Sequence, residues 1–268
     1  MISDVDHVGI AVRDMESALR FYGGALGLPI VIEGESGARG AKVALLAVGG
    51  SYLELVQPTS DASPFAAYIA VRGEGLHHVG LRTDDVDGLV ASLVEKGVSL
   101  EDESPREGFT GRLSYLAPEA FDGALLEVVQ PGERPAVEPT SPVTRIDHVV
   151  LRLPDVGGVC ERMRDYFGVE TKRTFERGET RFSFLRPGDV TLELIGPKER
   201  PAAPRPGSIA GLAFECTGID ALTADLKSQG FPIGGPHPAL QGGRIVSVHA
   251  SGACGVPVAF IDFTDSPR

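Results

Sequence analysis

An α+β fold built from four copies of a strand–helix–three-strand (βαβββ) module is predicted by three observations on the 268-residue chain. The first is a fourfold internal repeat, because a fixed period reveals architecture before any single motif does. The segments "DHVGIAVRDMESALRFYGGALGLPI" from Asp6, "HHVGLRTDDVDGLVASLVEKGVSL" from His77, "DHVVLRLPDVGGVCERMRDYFGVET" from Asp147 and "AGLAFECTGIDALTADLKSQGFPI" from Ala210 follow one pattern. The second is a closing phrase that ends each module: "SYLELVQP", "ALLEVVQP", "VTLELIGP" and "VPVAFIDF". The third is the stretch "QPGERPAVEPTSPVT", residues 130–144, whose prolines give it linker composition between modules two and three.

Each module reads in the same order. Alternating residues make an opening strand, an acidic residue can cap the helix that follows, and about three helical turns end at a glycine. Short strands come next, among them "AKVALLAV", "GRLSYLAP", "TRFSFLRP" and "GRIVSVHA". The closing phrases are β-rich, and three of them end in proline, which cannot continue a central strand. Two modules on each side of the linker give a first domain over 1–132, a linker over 133–144 and a second domain over 145–268.

Composition removes several function classes. A net charge of -12 with no basic block disfavours nucleic acid, whose phosphates demand clustered Lys and Arg. Trp is absent and aromatics make up 6%, so stacking platforms for bases are poorly supplied. Cys160, Cys216 and Cys254 are widely spaced with no CxxC pair, which suggests neither a disulfide framework nor a thiolate zinc site. No run approaches the roughly 18 apolar residues of a membrane span, and the N-terminus lacks a basic segment followed by an apolar one. A cytoplasmic protein acting on a small molecule, with no nucleic-acid or membrane partner, is the expectation.

Strand periodicity then selects polar residues. In "DHVGIAV" a period of two puts His7, Gly9 and Ala11 on one face and Val8, Ile10 and Val12 on the other. The second face is core, and the small neighbours of His7 leave room against the sheet. Module two repeats this with His78, Gly80 and Arg82; His77 falls in the slot of Asp6. Glu54 lies between Leu53 and Leu55, and Glu127 between Leu126 and Val128, so each carboxylate points away from a core that would charge heavily for its desolvation. The His-to-Glu interval is 47 residues in module one and 49 in module two. Two imidazoles and two carboxylates suit a divalent metal (Co, Ni, Mn, Zn or Fe) with open positions for water or substrate oxygens.

Module three retains His148 and Glu193, whereas module four has Gly211 at the histidine position and Phe260 at the expected glutamate position. The second domain therefore cannot build the set alone. Two pairings remain open: modules one and two assemble His7, Glu54, His78 and Glu127, while modules two and three would assemble His78, Glu127, His148 and Glu193.

These residues, with "YLELVQPTSDASP", "GEGLHHVGLRTDDVD" and "SPREGFTGRLSYLAPEAFDGALLEVVQP", resemble the vicinal oxygen chelate superfamily, and the first domain resembles its methylmalonyl-CoA epimerase family. The resemblance covers nearly the whole chain at the level of fold. It implies two vicinal-oxygen-chelate domains with open, curved mixed sheets, and metal ligands at His7, Glu54, His78 and Glu127, with Glu127 also serving as base. Glyoxalase I is similar at the same four positions. The implied activity is a metal-dependent epimerase, isomerase or lyase that stabilises an enolate of a carbonyl or acyl-CoA substrate. The family's second base falls on Ala38, so Glu35 or Glu33 must substitute for two-base epimerisation to operate. Arg39, Lys42, Arg106 and Arg112 are candidates to meet the phosphates of a CoA thioester. A metal-free drug-binding protein of the bleomycin-resistance type and an Fe(II) extradiol-type dioxygenase are the alternatives, and a homodimer is left open.

Overall fold

The computed structural model describes residues 1–102 and 104–264. Its strands are β1 (Asp4–Ala11), β2 (Ile30–Ser36), β3 (Ala41–Val48), β4 (Ser51–Pro58), β5 (Gly75–Arg82), β6 (Arg106–Glu107), β7 (Gly111–Tyr115) and β8 (Leu126–Pro131), then β9 (Val143–Arg152), β10 (Thr171–Arg177), β11 (Thr180–Leu185), β12 (Thr191–Pro197), β13 (Ser208–Cys216), β14 (His237–Pro238), β15 (Arg244–Val248) and β16 (Val258–Asp262). The helices are α1 (Met15–Leu19), α2 (Pro64–Arg72), α3 (Val86–Glu95), α4 (Val156–Phe167) and α5 (Ile219–Ser228). They form two eight-stranded sheets, β2-β3-β4-β1-β5-β8-β7-β6 and β10-β11-β12-β9-β13-β16-β15-β14. The first sheet takes all strands of modules one and two, the second all those of modules three and four. Within each module the last three strands are antiparallel, and the closing strand runs parallel to the opening one where β12 meets β9, β8 meets β5 and β16 meets β13.

Local sequence accounts for the helix boundaries. Asp14, Asp85 and Asp155 accept backbone N–H groups from Ser17, Gly88 and Gly158, the expected acidic caps. Module four departs, since Gly218 in a left-handed conformation precedes α5. Beyond the helical segments Gly27, Gly97, Gly168 and Gly230 all take positive φ, the conformation that ends a helix at least cost in glycine. In module one α1 passes into a π-helical stretch over Arg20–Ala25. Helix α2 has no counterpart in the repeat; Ser63 followed by Pro64 at its start and Gly73 at its end are its sequence signals.

By chain proximity the residues fall into two compact units, Met1–Val8 with His78–Glu133 and His148–Ala210, and Gly9–His77 with Arg134–Asp147 and Gly211–Arg268. In the former, Phe121 stacks on Phe167 at 5.8 Å, and Asp122 accepts from Arg200 at 2.7 Å and from Arg162. In the latter, Phe21 meets Phe231 at 5.0 Å and the Tyr22 hydroxyl donates to the Ala253 carbonyl at 3.1 Å. Among the described residues no helix is long and apolar enough to cross a membrane.

Candidate metal centre

β1 and β5 are neighbours in the first sheet, and each carries a fully buried histidine, His7 and His78. Their Nε2 atoms approach to 3.0 Å. What admits the His7 ring is Gly80, because a Cβ there would come 2.3 Å from its Cε1 atom. The parallel pairing of β5 with β8 sets Gly80 beside Glu127, which brings that carboxylate to the same face. Glu127 is buried, with Oε1 3.5 Å from His7 Nε2 and Oε2 3.8 Å from His78 Nε2. Tyr115 lies opposite Glu127 in the β7–β8 pairing, and its hydroxyl is 3.3 Å from His78 Nε2. Glu54, on β4, is also buried; among the described residues, His7, Glu54 and His78 form a group whose ligand atoms all lie within 4.8 Å of one another.

The donor set passes a simple test of fit. Two ligand atoms bound at about 2.1 Å and at right angles are separated by about 3.0 Å, which is the Nε2 spacing found. Imidazole nitrogen and carboxylate oxygen are the donors of Zn, Fe, Co, Ni and Mn sites, and here they are gathered away from solvent.

Other residues fall elsewhere. The pairings Glu35 with Lys42, Lys42 with Gln57, and Leu45 with Glu54 send Glu35 to the sheet face opposite Glu54, where it is exposed. The expected second-base role of Glu35 gains nothing from this register, and Glu33 shares its face. The side chain of Ala38 lies outside those described. Arg112 is engaged by Asp87 at 2.7 Å and Arg106 by Asp102 at 3.1 Å, so both have structural partners within the protein. His77 leaves the ligand face and sets its ring against Phe65 at 4.9 Å and Tyr68 at 4.7 Å. In the second sheet His148 Nε2 is 3.4 Å from Glu193. The β13–β16 register corrects one expectation: Ala213 pairs with Ala259, so alanine, not Phe260, holds the place of Glu127, and Phe260 is core beside Phe214 at 5.8 Å. Burial raises the Cys216 thiol to about 12 and the Cys254 thiol to about 11, which keeps both protonated.

Tyr115 and Asp6 were not legible as site residues. Tyr115 reaches the centre through the pairing of β7 with β8, and its sequence neighbourhood carries no signal beyond an alternating strand. Asp6 lies 2.9 Å from His7 Nδ1 and accepts from Arg82 Nε at 3.1 Å, although strand alternation assigns it to the other face.

A family model described as the glyoxalase/bleomycin resistance protein/dioxygenase superfamily matches residues 6–115 and 147–247, one match on each sheet. The chain belongs to this superfamily. Its N-terminal half resembles methylmalonyl-CoA epimerases. The mitochondrial methylmalonyl-CoA epimerase of Bos taurus is 30% identical over 128 residues, 47% of this chain and 73% of that protein. An ethylmalonyl-CoA/methylmalonyl-CoA epimerase of Cereibacter sphaeroides is 29% identical over 133 residues, 48% of this chain and 99% of that protein. A variant of 4-hydroxymandelate synthase from Streptomyces coelicolor superposes with a TM-score of 0.73 at 18% identity, over 98% of this chain and 93% of that one. At that identity the likeness speaks for the fold, and it extends the superfamily architecture across both sheets. Relatives in the superfamily are thus enzymes, among them epimerases.

Proposed function

We propose that the protein is a divalent-metal-dependent enzyme that moves a proton α to the carbonyl of a carbonyl or acyl-thioester substrate, through an enolate. We assign the centre to a first domain over 1–132 and regard 145–268 as a second domain of the same fold without a complete ligand set. The observation that carries the reading is the buried pair of imidazoles with Nε2 atoms 3.0 Å apart, flanked by Glu127. His7, His78, Glu54 and Glu127 would hold the ion. Bound there, a divalent ion supplies Lewis-acid polarisation of a carbonyl oxygen.

The protein's own residues supply the rest. Glu127, nearly fully buried, is placed to take the α proton and return it. The Tyr115 hydroxyl stands beside the same ligand atoms as a hydrogen-bond donor for a substrate oxygen. Burial of the cluster lowers the local dielectric and so strengthens these interactions. With Glu35 on the opposite face, a one-base isomerase or lyase fits these residues better than two-base epimerisation. The epimerase relatives support an acyl-CoA among the substrates to be tried first.

Metal analysis of the purified protein followed by a deuterium-exchange screen against acyl-CoA and 2-oxo compounds tests this. Stoichiometric metal and exchange that Glu127→Ala lowers by at least about 100-fold are expected, as for loss of a general base. Exchange that survives both chelation and Glu127→Ala would refute it. Ligand binding indifferent to chelator would instead favour a metal-free binding protein. A second reading rests on the mutual group of His7, Glu54 and His78, since two histidines and one carboxylate form the donor set of non-haem Fe(II) oxygenases. Substrate-dependent oxygen uptake by the Fe(II)-loaded protein would select it.

A further inference from the structure

We infer that Asp6, braced by Arg82, is a positioning residue that holds His7 in the tautomer able to ligate a metal through Nε2. The inference rests on the metal-centre reading above. Asp6 is completely buried, and a carboxylate in that setting must be matched by donors. Arg82 Nε supplies one at 3.1 Å, and His7 Nδ1, 2.9 Å away, is placed to supply another. Nδ1 is the ring nitrogen nearer the backbone, so the imidazole can turn that edge toward the preceding residue while its far edge extends over the sheet. The far nitrogen is the one found 3.0 Å from His78 Nε2 and 3.5 Å from Glu127.

A carboxylate facing Nδ1 calls for an N–H there, and a neutral imidazole then carries its lone pair on Nε2. Acceptors that fix ring and tautomer in this way sharpen metal affinity in histidine sites generally. Arg82 in turn fixes Asp6, and its own side chain reaches the partly exposed rim, with 30% of it accessible. The neighbouring modules differ at these positions. Module two has His77 where Asp6 stands, and that ring is occupied by Phe65 and Tyr68. Module three keeps Asp147 before His148; there Asp147 is partly exposed and lies 3.3 Å from Arg145, and His148 Nε2 lies 3.4 Å from Glu193. At His7 the carboxylate facing Nδ1 is completely buried, on the sheet that carries His78, Glu54 and Glu127.

Two measurements on the full-length protein test this. In the metal-free wild type, ¹⁵N-histidine NMR is expected to show His7 protonated at Nδ1 and bare at Nε2. A His7 protonated at Nε2 overturns the inference, and this experiment needs neither metal nor variant. Titration with Co²⁺, followed by its visible absorbance, is expected to show Asp6→Asn binding about 10- to 100-fold more weakly than wild type, with Arg82→Gln showing a smaller loss and His77→Gln none. A folded Asp6→Asn that binds Co²⁺ like wild type overturns the positioning role while leaving the metal centre standing. A wild type that binds no Co²⁺ overturns both.

Discussion

Gly80 shows how one residue decides whether the centre can exist. Its missing side chain leaves the space that the His7 ring fills, and a methyl group there would meet three ring atoms at 2.3 to 2.8 Å. Gly80→Ala is therefore expected to cost about 1–3 kcal/mol, the usual penalty for overpacking, and to weaken divalent-metal binding together with stability. Urea unfolding and a Co²⁺ titration measure the two effects; unchanged metal affinity in a folded Gly80→Ala would mean that His7 does not lie against this glycine. His7 and His148 make a second residue-level contrast. His7→Ala is expected to abolish bound metal while His148→Ala leaves the stoichiometry intact, because β1, not β9, lies beside β5. Loss of metal in the second variant would point to the alternative pairing of modules two and three.

Among the elements, the two even-numbered modules share an ion pair. Asp87 at the start of α3 meets Arg112 on β7, and Asp220 at the start of α5 meets Arg244 on β15. Each arginine hydrogen bond holds its carboxyl below the usual range, and each aspartate is exposed. A carboxyl whose value is lower in the folded state stabilises the fold at pH above its unfolded value of about 3.9 and stops doing so as pH falls through the folded value. The Asp87→Asn, Asp220→Asn double variant should be less stable than wild type near neutrality by a small margin, as exposed pairs are screened, and the difference should shrink below about pH 4. Urea unfolding across pH 2–7 checks it, and a gap that stays constant into acid would rule out the pairs as its source. The repeat also made these elements legible: the four closing phrases became β4, β8, β12 and β16. Helix α2 escaped because it occurs once, and a self-comparison sees only what recurs.

For the molecule as a whole, a metal held only by the folded state must raise its stability. At free metal about 100-fold above the dissociation constant, the gain is about 2.7 kcal/mol. Chelation should therefore lower the melting temperature of metal-loaded protein, and Glu54→Ala or His78→Ala should shrink that shift; a melting temperature indifferent to metal and chelator would count against a bound ion.

By itself the sequence determined the fourfold module, the strand–helix–three-strand order within it, and the four residues His7, Glu54, His78 and Glu127 as polar groups on the strand faces opposite the core. These follow from periods of two and 3.6 and from proline and glycine punctuation, all of which are local along the chain. Only the tertiary structure decided that β1 lies beside β5, that Tyr115 and Asp6 reach the histidines, that Glu35 faces away and that Ala259 holds the place of Glu127. Those facts depend on which strand pairs with which, and in what register, between residues tens of positions apart. Periodicity gives the face of a residue within its own strand; the neighbour across the sheet is fixed by packing and hydrogen bonding of the folded whole.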